Sequence, residues 1–268
     1  MKKLTLTVVV WGLAASLCFA RGTSQQQSGG LTLKPGVLSI GMEIGYPPME
    51  YFDIDGKTPI GFDVQLAQAL GAQLGLEVEF VDTAWDGIFA GVNTNKYDAI
   101  ISSVTITEER LEAFNFTKPY IGNAMVIVVS RKAALPVTKP EDIAGYRVTY
   151  QAETTADIYA TRLAQQGVGF TAFEYDKVMN CFDEIKLGRV DIIIVDSLVA
   201  FEYLSRDPDL YIAWQGKADE TFGICLKKGN DALTSALNGA LDALFADGTL
   251  AGISQDIFKM DLVSSVKQ

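Results

Sequence analysis

Four residues of the sequence could bind a small charged molecule. Arg110 follows a buried strand-like run by a short loop, and a guanidinium can make two parallel hydrogen bonds to a carboxylate. Thr154 and Thr155 open a helical pattern, where the free N–H groups of the first turn favour an anion. Asp196 ends a second buried run and supplies a negative charge. The pattern predicts anion binding at the first three residues and cation binding at the fourth.

Each of these residues also fits a purely structural role. Arg110 can lie exposed in the first turn of a helix, and Thr154 and Thr155 can cap the N-terminus of theirs, which is compatible with binding. Asp196 precedes a helical pattern over 197–204 and can cap it. The sequence alone leaves both interpretations open.

Composition excludes several classes of protein. The chain has 268 residues and no histidine, which excludes a histidine general base, a Ser-His or Cys-His nucleophile and a histidine metal site. Its 22 basic and 33 acidic side chains give a net charge of −11, which disfavours nucleic acid and anionic membranes as partners. Cys18, Cys181 and Cys225 match no CxxC pattern. We expect no cofactor and no metal.

The N-terminus predicts export. Two lysines precede an apolar run over 4–20, so residues 1–20 read as a signal peptide, with an uncleaved membrane anchor as the alternative. Two processing routes stay open, cleavage before Arg21 and lipidation of Cys18. The residue before Cys18 is unusual for a lipidation site, whereas the polar stretch 21–32 fits the flexible tether of a membrane-anchored lipoprotein.

Short β-rich runs alternate with amphipathic helical stretches from residue 37 onward, which predicts an α/β fold with parallel sheets. The apolar runs 125–129 and 191–195 are predicted to be strands covered on both faces, and 222–226 is predicted as a single late strand. Helices are predicted over 61–75, 85–95, 154–166, 175–187, 197–204, 231–246 and 250–258. The similar segments 96–101 and 188–194 indicate two related halves with a cleft between them.

Seven segments in order along the chain resemble the extracellular solute-binding proteins of ABC transporters for polar amino acids, bacterial family 3. The most specific segment is DAIISSVTITEER, residues 98–110. The others are 45–50, 61–64, 85–88, 151–155, 188–196 and 222–224. One segment alone would be weak, and the ordered set carries the resemblance.

The resemblance implies a two-lobed periplasmic-binding-protein fold, in which two α/β lobes joined by two crossing strands close on a ligand in the cleft. On this chain, lobe one is expected at 33–124 together with 218–262, and lobe two at 125–217. Cys181 then lies in lobe two and Cys225 in lobe one, so we expect two buried free thiols.

A free L-amino acid is the ligand that the resemblance implies. Its carboxylate and ammonium both lose water when the lobes close, so both need charged partners. The carboxylate is expected to contact Arg110, Thr105, Thr154 and Thr155. The ammonium is expected to contact Asp196, the carbonyl of Ser103 and the hydroxyl of Thr105, the last two following the strand over 97–102.

The ligand side chain is expected to contact Glu43, Tyr46, Trp85 and Ser102. The two aromatic rings can hold a guanidinium or an aliphatic chain, and Glu43 can pair with a cation. This favours a cationic ligand, arginine ahead of lysine or histidine, with glutamine or cystine as the alternative. Trp85 can instead belong to the core of lobe one, and Glu43 can be an exposed charge at a strand end.

Two positions depart from the family pattern, since Glu153 and Thr149 stand where glycine is common. A carboxylate beside an anion-binding helix start is unfavourable unless it faces solvent or a cation. The resemblance implies a monomer that delivers its ligand to a permease in the inner membrane, and not an enzyme. A dehydratase of the same fold, which needs a general acid over a prephenate-type ring, and a periplasmic sensor domain are the alternatives.

Overall fold

A computed structural model describes residues 30–264 and residue 266 of the chain. The predicted signal segment 1–20, with Cys18, and residues 21–29 of the predicted tether lie outside the described residues. Within the described part, no helix is long and apolar enough to cross a membrane.

Strands and helices alternate along most of the described chain. The strands are β1 (Val37–Met42), β2 (Tyr51–Phe52), β3 (Pro59–Ile60), β4 (Glu77–Asp82), β5 (Ala99–Ile100), β6 (Phe114–Phe116), β7 (Ile121–Asn123), β8 (Met125–Ser130), β9 (Arg147–Gln151), β10 (Thr171–Tyr175), β11 (Ile192–Asp196), β12 (Leu210–Gln215), β13 (Glu220–Phe222) and β14 (Cys225–Lys227). The helices are α1 (Phe62–Leu74), α2 (Trp85–Asn93), α3 (Glu108–Ala113), α4 (Thr155–Gln165), α5 (Val178–Lys186), α6 (Ser197–Arg206), α7 (Asp231–Ala246) and α8 (Thr249–Phe258). Each helix predicted from the hydrophobic periodicity is present, with its ends within about three residues of the prediction.

The first sheet has the strand order β4-β1-β5-β14-β6 and forms the centre of lobe one. β1 runs parallel to β4 and β5, whereas β14 runs antiparallel to β5 and β6. Helices α1 and α2 pack against its strands, and α7 and α8 pack against α1. Gly61 caps α1 with a φ of 125°, and a Cβ there would lie 2.3 Å from the Met49 carbonyl oxygen, so the cap position requires glycine.

The second sheet has the order β10-β9-β11-β8-β12 and forms the centre of lobe two. β9, β10 and β11 are parallel, and β8 is antiparallel to both β11 and β12. Helices α4, α5 and α6 pack against this sheet. Both lobes therefore have the α/β construction that the sequence predicts.

The prediction of parallel sheets is wrong for one or more strands in each lobe, since both sheets are mixed. The reason lies in how the chain enters each lobe. β8 enters lobe two directly from β7, and β14 enters lobe one from β13, in both cases without a crossover helix. These strands run away from the junction between the lobes, opposite to the strands that end there. Alternation of strands and helices cannot reveal this reversal.

Two crossing strands join the lobes, because β7 and β13 pair antiparallel with Gly122 opposite Thr221. The single strand predicted over 222–226 is therefore wrong, since it is split between β13 and β14. Gly223 at the break donates its N–H to the Val104 carbonyl oxygen at 3.0 Å. A Cβ on Gly223 would lie 2.7 Å from the end of the Ile106 side chain, so a larger residue here would require Ile106 to move.

Apolar side chains cover both faces of the second sheet, as predicted for 125–129. Val126 belongs to the largest apolar cluster, which also includes residues of lobe one, whereas its neighbour Ile127 belongs to a second cluster on the opposite face. Cys225 on β14 and Cys181 on α5 are buried free thiols in different lobes, as the sequence predicts.

Candidate functional site

A small cavity lies between the two lobes. Every residue that the sequence analysis assigned to binding lines it. These residues are Glu43, Tyr46, Trp85, Ser102, Ser103, Thr105, Arg110, Thr154, Thr155 and Asp196. Glu50 and Gln151 complete the lining. The structure thus brings together residues that are more than 150 positions apart in the sequence, from Glu43 to Asp196.

The cavity lies where parallel strands of both sheets end. In lobe one, Glu43 directly follows β1, and Ser102 is the second residue after β5. In lobe two, Gln151 and Asp196 are the last residues of β9 and β11. Because the carboxyl ends of parallel strands lie at one edge of a sheet, each lobe presents its polar strand ends to the other.

Arg110 forms part of the lobe-one wall. Its Nη1 donates to the Thr105 carbonyl oxygen at 3.0 Å, and its guanidinium carbon lies 5.0 Å from the ring centre of Phe89 and 5.6 Å from that of Trp85. Among the described residues, Arg110 makes no ion pair. Burial lowers the pKa of the guanidinium, which nevertheless stays charged at neutral pH. Arg110 therefore offers the cavity an unpaired positive charge.

Asp196 supplies the opposite charge from lobe two. Its Oδ2 accepts from the Tyr46 hydroxyl at 2.6 Å, and its Oδ1 accepts from Asn123 Nδ2 at 2.6 Å. Asp196 occupies the N-cap position of α6, yet its side chain makes no capping hydrogen bond. Burial raises the pKa of Asp196, and both hydrogen bonds and the charge of Arg110 oppose that rise. The side chain thus faces the cavity and does not cap the helix.

Helix α4 begins at the cavity. Thr154 is its N-cap, with a hydroxyl that donates to the Gln151 carbonyl oxygen at 2.7 Å and accepts from the Asp157 N–H at 3.5 Å. This hydroxyl is engaged in capping, so the free N–H groups of the first turn carry the capacity to bind an anion. Glu153 is exposed, so its carboxylate turns to solvent and does not crowd the helix start.

Thr149, the other departure from the family pattern, is fully buried. Its hydroxyl donates to the Phe173 carbonyl oxygen at 2.7 Å and lies 3.4 Å from Cys181 Sγ. The hydroxyl of Thr149 therefore makes its polar contacts within lobe two.

Glu43 lies at the other end of the cavity and is only 5% exposed, so the exposed-charge interpretation is wrong. Its Oε2 accepts from Gln151 Nε2 at 2.7 Å, whereas its buried Oε1 has no hydrogen-bond partner among the described residues. Burial raises the pKa of Glu43 to about 7, against the opposing effects of the Gln151 hydrogen bond and the positive charge of Lys177. This carboxyl is poised between its neutral and its ionised form.

Among the described residues, several hydrogen bonds join the two lobes around the cavity. Besides Tyr46 to Asp196 and Gln151 to Glu43, the Trp85 Nε1 donates to the Glu153 carbonyl oxygen at 3.0 Å. Trp85 combines the two roles left open by the sequence, since it lines the cavity and also packs in an apolar cluster of lobe one. The lobes are therefore in direct polar contact around the cavity.

Residues 38–260 match the family model of the bacterial extracellular solute-binding proteins, family 3. The chain belongs to this family. The match covers most of both lobes and includes every cavity-lining residue.

Curated relatives of this solute-binding protein include transport proteins for different amino acids. The L-cystine-binding protein TcyJ of Escherichia coli strain K12 is 31% identical over 228 residues, which cover 85% of this chain and 84% of the relative. The ABC transporter arginine-binding protein 1 of the same strain is 31% identical over 263 residues, which cover 96% of this chain and 99% of the relative.

Solved structures agree with the two-lobed architecture. An ancestral arginine-binding protein bound to arginine is 33% identical, with a TM-score of 0.80, and the match covers 83% of this chain and 98% of that one. The ancestral amino-acid-binding protein AncCDT-1, described as a precursor of cyclohexadienyl dehydratase, is 29% identical, with a TM-score of 0.75 and coverage of 83% and 95%. The fold thus occurs both in binding proteins and in the ancestry of an enzyme.

Sequence reasoning missed four polar residues at or beside the site of this solute-binding protein. Glu50 and Gln151 lie inside two of the segments that carry the family resemblance, so their position was a usable signal. Asn123 and Glu220 lie on the crossing strands, and Asn123 Nδ2 donates both to Asp196 Oδ1 and to Glu220 Oε2, the latter at 2.8 Å. Burial, and next the charge of Asp196, raise the pKa of Glu220 to about 7.

Proposed function

We propose that this solute-binding protein binds a free L-amino acid with a cationic side chain, arginine ahead of lysine and histidine, for uptake by an ABC transporter. The carrying observation is Glu43 Oε1, a buried carboxylate oxygen that has no donor among the described residues. A guanidinium would donate to this oxygen and stack against the rings of Tyr46 and Trp85 that line the same cavity. Pairing removes the cost of burying an unpartnered carboxylate.

The main-chain groups of the ligand fit the other end of the cavity. In this proposal, the carboxylate binds Arg110 and the first-turn N–H groups of α4, and the ammonium binds Asp196. The Ser103 carbonyl oxygen accepts no hydrogen bond from the described residues, which supports a second contact to the ammonium. Arg110 and Asp196 belong to different lobes, so one ligand would connect both lobes through its two charges.

A neutral polar ligand such as glutamine or cystine is the second candidate. The observation that favours it is the pKa of Glu43, which burial raises to about 7, so that a large fraction of this carboxyl is protonated near neutral pH. A protonated Glu43 beside the Gln151 amide would hydrogen-bond an amide or a second carboxylate. The 31% identity to a cystine-binding relative is compatible with this alternative.

A thermal-shift panel of the twenty amino acids with ornithine and cystine tests the choice. Ligand stabilisation scales as RT ln(1 + [L]/Kd), so the true ligand separates clearly from the others at equal concentration. We expect arginine to give the largest shift, followed by lysine or histidine. A glutamine or cystine maximum with no response to arginine would refute the cationic proposal and support the neutral one.

Two arginine derivatives make the panel more specific. Agmatine lacks the carboxylate, and Nα-acetyl-arginine lacks the ammonium charge. If Arg110 and Asp196 bind the main-chain groups, both derivatives should bind at least about a hundredfold more weakly than arginine, because each leaves one buried charge of the protein unpaired. Equal binding of agmatine and arginine would exclude the proposed carboxylate site.

Transport requires that the permease distinguish the loaded protein, which we propose to occur through lobe closure about β7 and β13. In this proposal, lobe one (33–124 and 218–262) and lobe two (125–217) move as rigid units. Small-angle scattering of the monomer should show compaction on addition of arginine. Unchanged profiles at saturating arginine would contradict closure, and vesicles with the cognate permease would test delivery.

We further propose that the protein acts as a binding protein and not as a dehydratase, and that it is exported and tethered through Cys18. Incubation with prephenate or arogenate should give no product, and turnover would contradict the first point.

Metabolic labelling with palmitate tests the tether: it should mark the wild type and spare Cys18→Ser. Labelling of neither protein would favour cleavage before Arg21 and release into the periplasm.

A further inference from the structure

Glu50 and Asp63 form a buried pair of carboxyl groups beneath the cavity. Both residues are fully buried, and each carboxyl affects the pKa of the other. Glu50 Oε2 and Asp63 Oδ1 are buried oxygens with no hydrogen-bond partner among the described residues. Two oxygens that lack a donor become partners when one of them carries a proton.

The remaining oxygens of the pair hold two residues of the cavity wall. Glu50 Oε1 accepts from the Ser102 hydroxyl at 2.7 Å, and the Ser102 hydroxyl in turn accepts from the Glu43 N–H at 3.0 Å. Asp63 Oδ2 accepts from the Ser103 N–H at 2.7 Å. Ser103 has a φ of 51°, a conformation that non-glycine residues rarely adopt without support.

We propose that Glu50 and Asp63 share one proton and act as a positioning pair, which fixes Ser102, Ser103 and Glu43 in their ligand-binding geometry. The effect of the pair on ligand binding rests on the proposed function, whereas the shared proton rests on the burial of both carboxyls and on their two oxygens without a partner. In this arrangement the protonated Glu50 donates to Asp63 Oδ1, and the pair carries a single negative charge.

The surroundings favour retention of the proton. Tyr120 donates from its hydroxyl to Asp63 Oδ2 at 3.0 Å, and the other titratable groups that act on the pair, Glu43 and Tyr46, bring no positive charge. No described lysine or arginine forms an ion pair with Glu50 or Asp63. Burial, and next the charge of Asp63, hold the pKa of Glu50 well above its usual range.

A double-mutant cycle separates a shared proton from two independent carboxyls. In Glu50→Gln, the amide N–H replaces the acid proton and donates to Asp63, so arginine affinity should stay within about threefold of the wild type. In Asp63→Asn, the amide oxygen still accepts from Ser103 and Tyr120 while its N–H donates to an ionised Glu50, again with a small effect. Each single variant keeps one donor and one negative charge in the pair.

The double variant Glu50→Gln/Asp63→Asn turns two N–H groups toward each other. We expect its loss of arginine affinity to exceed the product of the two single-variant losses by at least about tenfold, and we expect it to unfold at a lower denaturant concentration. Glu50→Ala, which leaves a buried Asp63 carboxylate without its donor, should also lose at least about tenfold. The matched cycle Glu77→Gln and Glu79→Gln on the exposed side of β4 should be additive.

Infrared spectroscopy at about pH 8.5 provides a readout that needs no ligand. Glu43 and Glu220, with pKa values near 7, are then largely ionised, so a protonated-carboxyl band that persists in the wild type and disappears in Glu50→Gln supports the pair. An additive double variant, equal effects of Glu50→Gln and Glu50→Ala, or no such band would overturn it. If the wild type fails to bind arginine, the proposed ligand is wrong, and the unfolding cycle and the band still decide on the pair.

Discussion

The two ends of the cavity differ in how their charges are balanced. At one end, Arg110 of lobe one and Asp196 of lobe two present opposite charges, beside the first turn of α4. At the other end, Glu43 and Glu50 line the wall with Gln151, and no described cation hydrogen-bonds to either carboxyl. We call these the balanced end and the acidic end.

Because of this difference, we expect the two ends to bind different parts of the ligand. Every free amino acid carries a carboxylate and an ammonium, so in the proposed function the balanced end binds the part that all such ligands share and sets affinity. In the proposed function, the acidic end contacts the part that varies, and the charge of Glu43 sets specificity. A charge removed from the balanced end should therefore weaken all ligands, whereas a charge removed from the acidic end should change their order.

Arg110→Ala removes the positive charge of the balanced end and should have the largest effect. A buried ligand carboxylate that loses its partner costs about 3–5 kcal/mol, which lowers affinity more than a hundredfold for every amino acid that binds. Isothermal titration calorimetry with arginine, lysine and glutamine measures the loss. Because Arg110 makes no ion pair among the described residues, the fold should remain intact by circular dichroism.

Arg189→Ala is the matched control for this loss. Arg189 pairs with Glu184 on the surface of lobe two, and its side chain is 66% exposed, so its removal should change affinity and stability little. Arg110→Lys keeps the charge and loses the planar fork, so its affinity should lie between those of wild type and Arg110→Ala. Unchanged arginine affinity in Arg110→Ala would place the ligand carboxylate elsewhere.

Glu43→Gln changes the acidic end while keeping the shape of the side chain. A charge-assisted hydrogen bond to a guanidinium becomes a neutral one, so arginine affinity should fall by about tenfold to a hundredfold. Glutamine affinity should change by less than about threefold, because the new amide can still accept from Gln151. Competition titrations measure the ratio of arginine affinity to glutamine affinity directly, with Glu77→Gln as an exposed control. An equal loss for both ligands would remove the distinction between the two ends.

Much of this comparison could be predicted from the sequence. Arg110, Asp196 and the Thr154–Thr155 pair follow strand ends or open helices, and strand-end polar residues converge at a cleft whenever the fold is α/β. The helices could also be predicted, because their apolar residues recur at helical spacing. The strand reversals at β8 and β14 could not, since they depend on the side from which the chain enters each sheet.

The polar partners inside the site were harder to predict. Gln151 pairs with Glu43 across 108 positions, and Asn123 reaches Asp196 across 73, so neither pairing leaves a local pattern. Glu50 lies in a segment that carries the family resemblance, yet that segment does not indicate that its carboxyl is completely buried. Burial of a carboxyl depends on packing from distant segments, which periodicity does not report.

The pH dependence of binding tests the acidic end without a mutation. Burial raises the pKa of Glu43 to about 7, so ionisation is largely absent at pH 6 and largely complete at pH 8. Arginine affinity should therefore rise by about tenfold over this range, whereas Glu43→Gln should show a flatter profile. The ligand-free protein should show the opposite trend, because a raised carboxyl pKa contributes stability that is lost as pH rises through about 7. A flat affinity profile in the wild type would contradict an ionised Glu43 partner.

The smallest expected effect concerns Glu153, at the edge of the balanced end. Its φ is 60°, its N–H donates to Asp157 Oδ2 at 2.9 Å, and its carbonyl accepts from Trp85. Glu153→Gly removes both the left-handed strain and a carboxylate near the anion-binding turn, so we expect about 0.5–1 kcal/mol of added stability and less than about threefold tighter binding. Glu153→Gln removes only the charge, so it should reproduce the gain in affinity without the gain in stability. Denaturant unfolding and calorimetry on both variants separate the two contributions, and a Glu153→Gly protein that unfolds more easily would show that the backbone here carries no strain.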